Sequence, residues 1–151
     1  MYGLHRMSCL LFIVAIAPNI LRAQKIKVLV LDASSGKPQS GAAIQYFCTG
    51  ASGNSANSAP VVTNSDGYAL LTATCSDNEK IELSVLPQHP KEQCGKLPPL
   101  SLREISSAGV LANPSADGNI WCSNKVSKKM KANPGQITLF VKKPTWFQSH
   151  F

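Results

Sequence analysis

Short segments in which hydrophobic and polar side chains alternate recur along the chain and predict β-strands. In three of them every second residue is hydrophobic, as in a strand with one buried face. These hydrophobic positions are Ala42, Ile44, Tyr46 and Cys48 in the first segment, Ile81, Leu83 and Val85 in the second, and Ile137, Leu139 and Val141 in the third. The segment 26–32 is hydrophobic on both faces and predicts a central strand that is covered on both sides. Glycine- and proline-containing turns separate these strands, which predicts an all-β protein, an antiparallel sandwich or barrel.

A single helix is predicted near 102–108, where the sequence reads SLREISSAG. Ser101 and Glu104 have the spacing of a capping box, in which each satisfies a backbone N–H of the other. Leu102 and Ile105 can then face the core, and the glycine that follows is typical of a helix end.

Two polar clusters are interpreted as connections. The run TGASGNSANSAP contains small residues and predicts a loop too polar to pack. The Asn-Ser-Asp-Gly cluster at 64–67 could hold calcium in a helix-loop-helix motif, but Val62 and Ala73 would then stand at the first and last ligand positions. Neither side chain offers an oxygen, so the cluster predicts a turn.

The first 23 residues have the pattern of an export signal, with a short basic start, an apolar run and Ala23 before the predicted cleavage site. The apolar run from Met7 to Ala17 would span only about 16 Å as a helix, too little for a membrane crossing. The predicted organisation is therefore a signal peptide at 1–23, one domain at 24–143 and an aromatic tail at 144–151. An exported protein of this kind is periplasmic or secreted.

Four cysteines remain after cleavage, and an even number in an exported chain predicts two disulfides. They are Cys48, Cys75, Cys94 and Cys122. A zinc site is the alternative, but it usually shows closely spaced cysteine pairs, which this chain lacks. Three pairings are conceivable. The preferred one joins Cys48 to Cys75 and Cys94 to Cys122, because the first two cysteines end neighbouring predicted strands.

Two stretches together resemble the repeat unit of carboxypeptidase regulatory-like domains. They are VLVLDASSGKPQSGAAIQY and TNSDGYALLTAT, in which the matching positions are Asp32, Gly36, Pro38, Gly41, Ala42, Thr63, Asp66, Gly67 and Tyr68. The resemblance covers roughly residues 26 to 86 and implies a Greek-key β-sandwich of the transthyretin-like, or prealbumin-like, type. The end of the chain also resembles small exported bacterial proteins built on this domain. The peptidase unit that such domains accompany is a separate domain, so the resemblance implies no catalytic residues.

The chemistry-bearing side chains predict neither an enzyme nor a cofactor. The mature chain has two histidines, His89 and His150, and neither lies in a zinc-binding motif such as H-E-x-x-H. No serine stands in a nucleophile motif with a partner histidine. The expected function is therefore that of an exported, non-catalytic binding or accessory module. A carbohydrate-binding module of the cell envelope and an envelope hydrolase with an unrecognised site are the alternatives.

The charge of the chain is unevenly distributed. The net charge is +7, and the segment from Gly118 to Phe151 contains six lysines and no acidic residue. The candidate polyanion-binding residues are Lys125, Lys128, Lys129, Lys131, Lys142 and Lys143. Export argues against nucleic acid, so an anionic lipid, an acidic glycan or another envelope protein is the candidate partner. The preferred interpretation of the lysines is nevertheless a solvated loop that keeps the protein soluble.

Three aromatic residues are candidates for a ligand or interface role, namely Trp121, Trp146 and Phe147. Trp121 stands beside a cysteine and is interpreted as cover for the core rather than as a platform for sugars. Two interpretations of the tail stay open. Its aromatic residues cover an open end of the sandwich, or Trp146 joins Lys142 and Lys143 in an interfacial membrane anchor.

Overall fold

The structure is a computed structural model that describes residues 23–50, 56–76, 78–86, 92–114 and 122–142. Several sequence predictions lie outside these ranges. They concern the signal peptide, the two histidines, and the candidate residues Trp121, Lys143, Trp146 and Phe147 with the rest of the tail.

The protein is mostly β-structure arranged in two sheets. The elements follow the chain as β1 (Gln24–Asp32), β2 (Ala43–Thr49), β3 (Ala56–Asn57), β4 (Val61–Val62), β5 (Tyr68–Ala73), β6 (Lys80–Val85), β7 (Glu92–Cys94), β8 (Leu100–Ser101), α1 (Leu102–Ala108), β9 (Val110–Leu111) and β10 (Gln136–Lys142). Sheet A has the strand order β5-β1-β10-β7, and β9 also pairs with β10. Sheet B has the order β3-β2-β6-β8, and β4 also pairs with β2. Two sheets and one helix are consistent with a β-sandwich.

The expectation of purely antiparallel pairing is wrong for sheet A. The strand β10 runs parallel to β1, with Lys27 opposite Gln136, and β9 also runs parallel to β10. Only a short hairpin connection forces neighbouring strands to be antiparallel. Because most of the domain lies between β1 and β10, their connection leaves the relative direction free.

The hydrophobic core lies between the sheets at the positions that alternation predicted. The alternate residues of β2, β6 and β10 are buried, and those of β5 join them. The largest fully buried side chains include Ile44, Leu71, Ile81, Ile137 and Leu139. Burying each such side chain stabilises the fold by about 1.5–3 kcal/mol relative to exposure. The alternation in the sequence therefore identified the inner faces of both sheets.

The outer face of sheet A, which points away from sheet B, is also covered. Leu29 and Leu31 of β1 and Phe140 of β10 share this face and are buried. The helix α1 packs against β1 and β10, and the residues Val126 and Met130 pack against the same hydrophobic cluster. The predicted double cover of the first strand is thus confirmed. Residues 122–131 supply part of this cover and are called the lysine segment below.

The polar run after β2 is not entirely a loop, contrary to the sequence prediction. Residues 56 and 57 form β3, which pairs with the end of β2. Next to it, Ser58 bonds to Tyr46 twice. Its N–H donates to the Tyr46 carbonyl at 3.0 Å, and its Oγ accepts from the Tyr46 N–H at 2.9 Å. Backbone hydrogen bonds between two strands need no hydrophobic side chains, so the alternation of hydrophobic residues gave no sign of this strand.

The predicted helix is confirmed as α1, together with its capping box. The Ser101 Oγ accepts from the Glu104 N–H at 3.2 Å, and a Glu104 carboxylate oxygen accepts from the Ser101 N–H at 2.7 Å. Leu102 and Ile105 are buried, as the periodicity indicated. The hydrogen bonds from the Ser101 backbone and side chain lower the pKa of Glu104 below its usual value.

Replacing Ser101 with alanine should destabilise the protein by about 1 kcal/mol at neutral pH, because the helix loses its N-cap. Folding lowers the pKa of Glu104. The hydrogen bonds that its carboxylate accepts therefore stabilise the protein fully above the ordinary pKa of a glutamate, and this stabilisation is lost as the pH falls through the lowered pKa of the folded state. Urea denaturation at pH 7 and pH 3 measures both effects, and the difference between S101A and the parent should shrink at pH 3. The matched control is S106A, on the exposed side of the same helix. An equal loss of stability in both variants would rule out the cap as the cause.

Candidate ligand-binding cleft

Two disulfides link the parts of the fold, and their pairing is the preferred one. Cys48 pairs with Cys75 and Cys94 with Cys122, at Cα–Cα distances of 5.5 and 5.6 Å. The first joins Cys48 of β2, in sheet B, to Cys75, which lies just after the end of β5 in sheet A. The strands β2 and β5 therefore face each other across the core rather than lying side by side. The second fixes the start of the lysine segment to β7. Two disulfides in so small a domain indicate an oxidising, extracellular environment.

A cleft of 860 Å³ lies between the outer face of sheet A and the lysine segment. Its lining comes from β1, the turns beside β1 and β5, and the lysine segment. The lining residues are Leu29, Leu31, Ser34, Ser35, Gly36, Pro38, Asp66, Tyr68, Lys125, Val126, Lys129 and Met130. Pockets that bind small molecules usually measure about 300–1,000 Å³. The cleft therefore has the size of a small-molecule site.

The floor of the cleft is apolar. Leu29 and Leu31 line the cleft from β1 and keep only 9% and 5% of their surface exposed, because they pack in the hydrophobic cluster beneath it. Val126 and Met130 are half-buried beside them. At Gly36 a Cβ atom would lie 3.0 Å from a methyl group of Val126, so a glycine lets the lysine segment approach the loop after β1 this closely. The sequence thus builds a recessed hydrophobic surface under a polar rim.

One part of the rim is the loop that follows β1, and Asp32 holds it in place. A single carboxylate oxygen of Asp32 accepts from the N–H of Ser34 at 3.0 Å and from the N–H of Ser35 at 2.7 Å. The same oxygen accepts from the Ser35 hydroxyl at 2.8 Å. Such local bonds from aspartate to the following backbone are typical of turns. Asp32 is consequently a residue that shapes the rim.

The turn at 64–67 forms another part of the rim and confirms the turn prediction. The Asn64 side chain accepts from the N–H of Asp66 at 3.1 Å and from the N–H of Tyr68 at 2.9 Å. Gly67 has a φ of 76°, and a Cβ there would lie 2.7 Å from the carbonyl oxygen of Val30. The turn thereby places Asp66 and Tyr68 at the cleft.

The charged groups at the cleft are unequal in number. Lys125 and Lys129 line it from the lysine segment, and Asp66 is the single acidic residue among its described lining. Both lysine side chains are exposed, and within the described ranges neither forms an ion pair. Two cations with unsatisfied charge beside an apolar floor can bind an anion that also carries an apolar part.

Tyr68 also contacts a cation, Lys27, which is not among the described residues that line the cleft. The Lys27 ammonium lies 3.9 Å from the centre of the Tyr68 ring, a cation–π contact. Tyr68 and Leu29 are opposite each other in the register of β5 and β1, so both point to the outer face of sheet A. One face of the tyrosine ring is therefore occupied by a lysine.

The structure does not gather all the candidate lysines in one place. Of the candidate lysines in the described part of the chain, Lys125 and Lys129 line the main cleft, whereas Lys128 lines a separate pocket of 260 Å³. Lys131 is exposed at the end of the lysine segment, and Lys142 is the last residue of β10. The basic sequence segment thus separates into distinct positions once it is folded.

Sequence reasoning missed the other half of the site. Leu29, Leu31 and Met130 were not candidate site residues, and Asp66 and Tyr68 were named only as matching positions of the family resemblance. The hydrophobic pattern on both faces of the first strand was the available signal, because it required a second layer over sheet A. That signal does not reveal whether the layer closes completely over the sheet or leaves a cleft.

Among the described residues, no three histidine, cysteine, aspartate or glutamate side chains are grouped as metal ligands would be. None of the helices in the described part of the chain has the length and hydrophobicity that a membrane crossing requires.

Comparisons with known proteins found no match. No family model, no curated protein and no solved structure corresponds to this chain. The resemblance to carboxypeptidase regulatory-like domains stays a prediction from the sequence.

Proposed function

We propose that this protein is an exported, non-catalytic binding module that holds an anionic ligand in the cleft of sheet A. The observation that carries the proposal is the pairing of Lys125 and Lys129 with an apolar floor in a cleft of 860 Å³. We further propose that the fold is the Greek-key, transthyretin-like sandwich of carboxypeptidase regulatory-like domains, with a signal peptide removed near Ala23. The two disulfides support export, because they form and persist in oxidising compartments.

The groups at the cleft favour binding over hydrolysis. Acid–base catalysis needs a donor and an acceptor of protons placed within hydrogen-bond reach of the reacting bond. The cleft offers two exposed ammonium groups, and an exposed lysine recognises an anion as a flexible point charge. Asp66 is the single carboxylate of the described lining, and its charge would repel an anion rather than hold it.

An anionic ligand also fits the cleft better than a neutral sugar. Carbohydrate-binding modules stack sugar rings on exposed aromatic faces. Tyr68 is the aromatic residue in the described lining, and the Lys27 ammonium already covers one face of its ring. A glycan would therefore be recognised here by the negative charge of its acidic groups rather than by stacking of its sugar rings.

Replacing Lys125 and Lys129 together with glutamine should weaken binding of an anionic ligand about 10-fold, since each lysine contributes a charge-assisted contact. Calorimetric titrations with decanoate, heparin and phosphatidylglycerol vesicles at low and high salt measure this effect. The control is the double variant K128Q/K131Q, which removes the same charge from the same segment but outside the cleft. In the opposite direction, D66N should strengthen binding a few-fold by removing a repulsive charge. The proposal is wrong if none of these anions binds, or if both double variants lose the same affinity.

A further inference from the structure

We propose that the ligand of the cleft is a small amphiphile, with one anionic head group and an apolar body. This inference rests on the proposed function, because it names the class of anion that the same site binds. The head group is placed at Lys125 and Lys129, and the apolar body lies on the floor that Leu29, Leu31 and Met130 form.

The limited extent of the charge argues for a small ligand rather than a polymer. A chain of repeating anionic groups is bound by cations that follow its backbone over several repeats. In this protein the next lysine along the segment, Lys128, lines a different pocket with Leu111 and Asn124. Only two of the lysine segment's cations therefore meet at the main cleft, which is enough for one head group.

The apolar floor argues for a ligand with a hydrophobic body rather than a free inorganic anion. Leu29 and Leu31 are nearly buried beneath the cleft, so the apolar surface that a ligand can reach comes mainly from the half-buried side chains of Val126 and Met130 beside them. Apolar surface at the bottom of an open cleft is stabilised when an apolar group displaces the water above it. Met130 adds a flexible, polarisable side chain that adapts to bodies of different shape.

Backbone hydrogen bonds hold the part of the lysine segment that carries Lys125 and Lys129. The N–H of Lys128 donates to the carbonyl of Asn124 at 3.0 Å, and the N–H of Lys129 donates to the carbonyl of Val126 at 3.0 Å. These two bonds span the backbone from residue 124 to residue 129, while the long lysine side chains stay adaptable. Lysine ammonium groups do not impose the paired geometry that arginine does, so a carboxylate, a sulfate or a phosphate ester satisfies the site equally.

The structure also predicts which end of the cleft receives the head group. Asp66 and Tyr68 line the cleft from the turn before β5, whereas Lys125 and Lys129 line it from the lysine segment. A head group beside Asp66 would meet a like charge, and one beside the lysines meets two opposite charges. The apolar body consequently extends from the lysine segment across the floor towards Tyr68.

The test uses the full mature, oxidised protein in calorimetric titrations with five probes. Decanoate, below its micelle concentration, carries both the head and the body. Acetate carries only the head, and decyltrimethylammonium has the same body with the opposite charge. Heparin represents an anionic polymer, and phosphatidylglycerol vesicles represent the same head-and-body chemistry held in a membrane surface. We expect decanoate to bind at least about 10-fold more tightly than the other four probes, because it alone satisfies both halves of the site as a free molecule.

Two variants assign the binding to the cleft. M130Q keeps the length of the side chain but makes the floor polar, and K125Q/K129Q removes the cations, so each should weaken decanoate binding about 10-fold. The control variant K128Q/K131Q should bind as the parent does.

Four outcomes would overturn the inference. Acetate binding as tightly as decanoate would show that the floor is not used, and equal binding of decyltrimethylammonium would show that the charge is not used. Binding of heparin or vesicles that requires Lys125 and Lys129, without binding of decanoate, would leave the proposed function intact and identify a polymer or a membrane surface instead. A protein that binds none of the probes would refute the proposed function together with the inference.

Discussion

Replacing Cys48 and Cys75 with alanine should lower the free energy of unfolding by about 3–4 kcal/mol. The disulfide closes a loop of 27 residues, which restricts the unfolded chain, and it ties β2 of sheet B to the end of β5 in sheet A. A domain of this size has only about 5–15 kcal/mol of stability in total. Chemical denaturation of the oxidised variant and parent, at the same pH and temperature, measures the loss. A change below about 1 kcal/mol would show that the two sheets do not depend on this link.

The second disulfide should affect both stability and binding. Cys94 and Cys122 close a loop of 28 residues, so C94A/C122A should lose a similar 3–4 kcal/mol. Because Cys122 begins the lysine segment, its release from β7 should also weaken decanoate binding under conditions where the variant is still folded. C48A/C75A is the matched control, since its disulfide lies between the sheets and away from the cleft. Equal loss of binding in both variants would mean that the second disulfide does not position the cleft.

Replacing Gly109 with alanine should destabilise the protein by about 3 kcal/mol. Gly109 ends α1 with a φ of 69° and a ψ of 174°, a combination that is essentially confined to glycine. A Cβ atom there would collide with the backbone carbonyl of Asn133, which leads into β10. Backbone strain costs about 1–2 kcal/mol, and overpacking against atoms that cannot move adds about 1–3 kcal/mol.

The control for this prediction is Gly135→Ala. Gly135 has a similar φ of 73°, but a Cβ atom there meets nothing within 4 Å. Its loss of stability should therefore stay near 1 kcal/mol, which corresponds to backbone strain alone. If the two alanine variants unfold at the same denaturant concentration, the close packing of the end of α1 on the turn before β10 is not important for stability.

The features that the sequence predicted well are those decided by local patterns. Alternation identified Ile44, Ile81 and Ile137 as core residues because a strand's side chains alternate between faces whatever the strand pairs with. The capping box at Ser101 was readable because both partners lie within one turn of the chain. The preferred cysteine pairing is confirmed, although Cys48 and Cys75 lie on facing sheets rather than on neighbouring strands.

The features that were missed depend on distant parts of the chain. The parallel pairing of β1 with β10 brings together the two ends of the domain, and no local signal fixes the direction of such a pair. The cleft likewise combines Leu31, Tyr68 and Met130 from three separate segments. The run of lysines was visible in the sequence, but the selection of Lys125 and Lys129 over Lys128 required the three-dimensional path of the lysine segment.

We propose above all that the cleft between sheet A and the lysine segment binds an anionic amphiphile. The most direct measurement is a two-dimensional NMR titration of the isotope-labelled, oxidised protein with decanoate, followed at backbone amide and methyl groups. We expect the largest shifts at Leu29, Leu31, Val126 and Met130, and we expect the same titration of K125Q/K129Q to require about 10-fold more decanoate. Shifts centred on a third pocket, of 350 Å³ and lined by Glu82 and Gln93, or no shifts at all, would contradict this proposal.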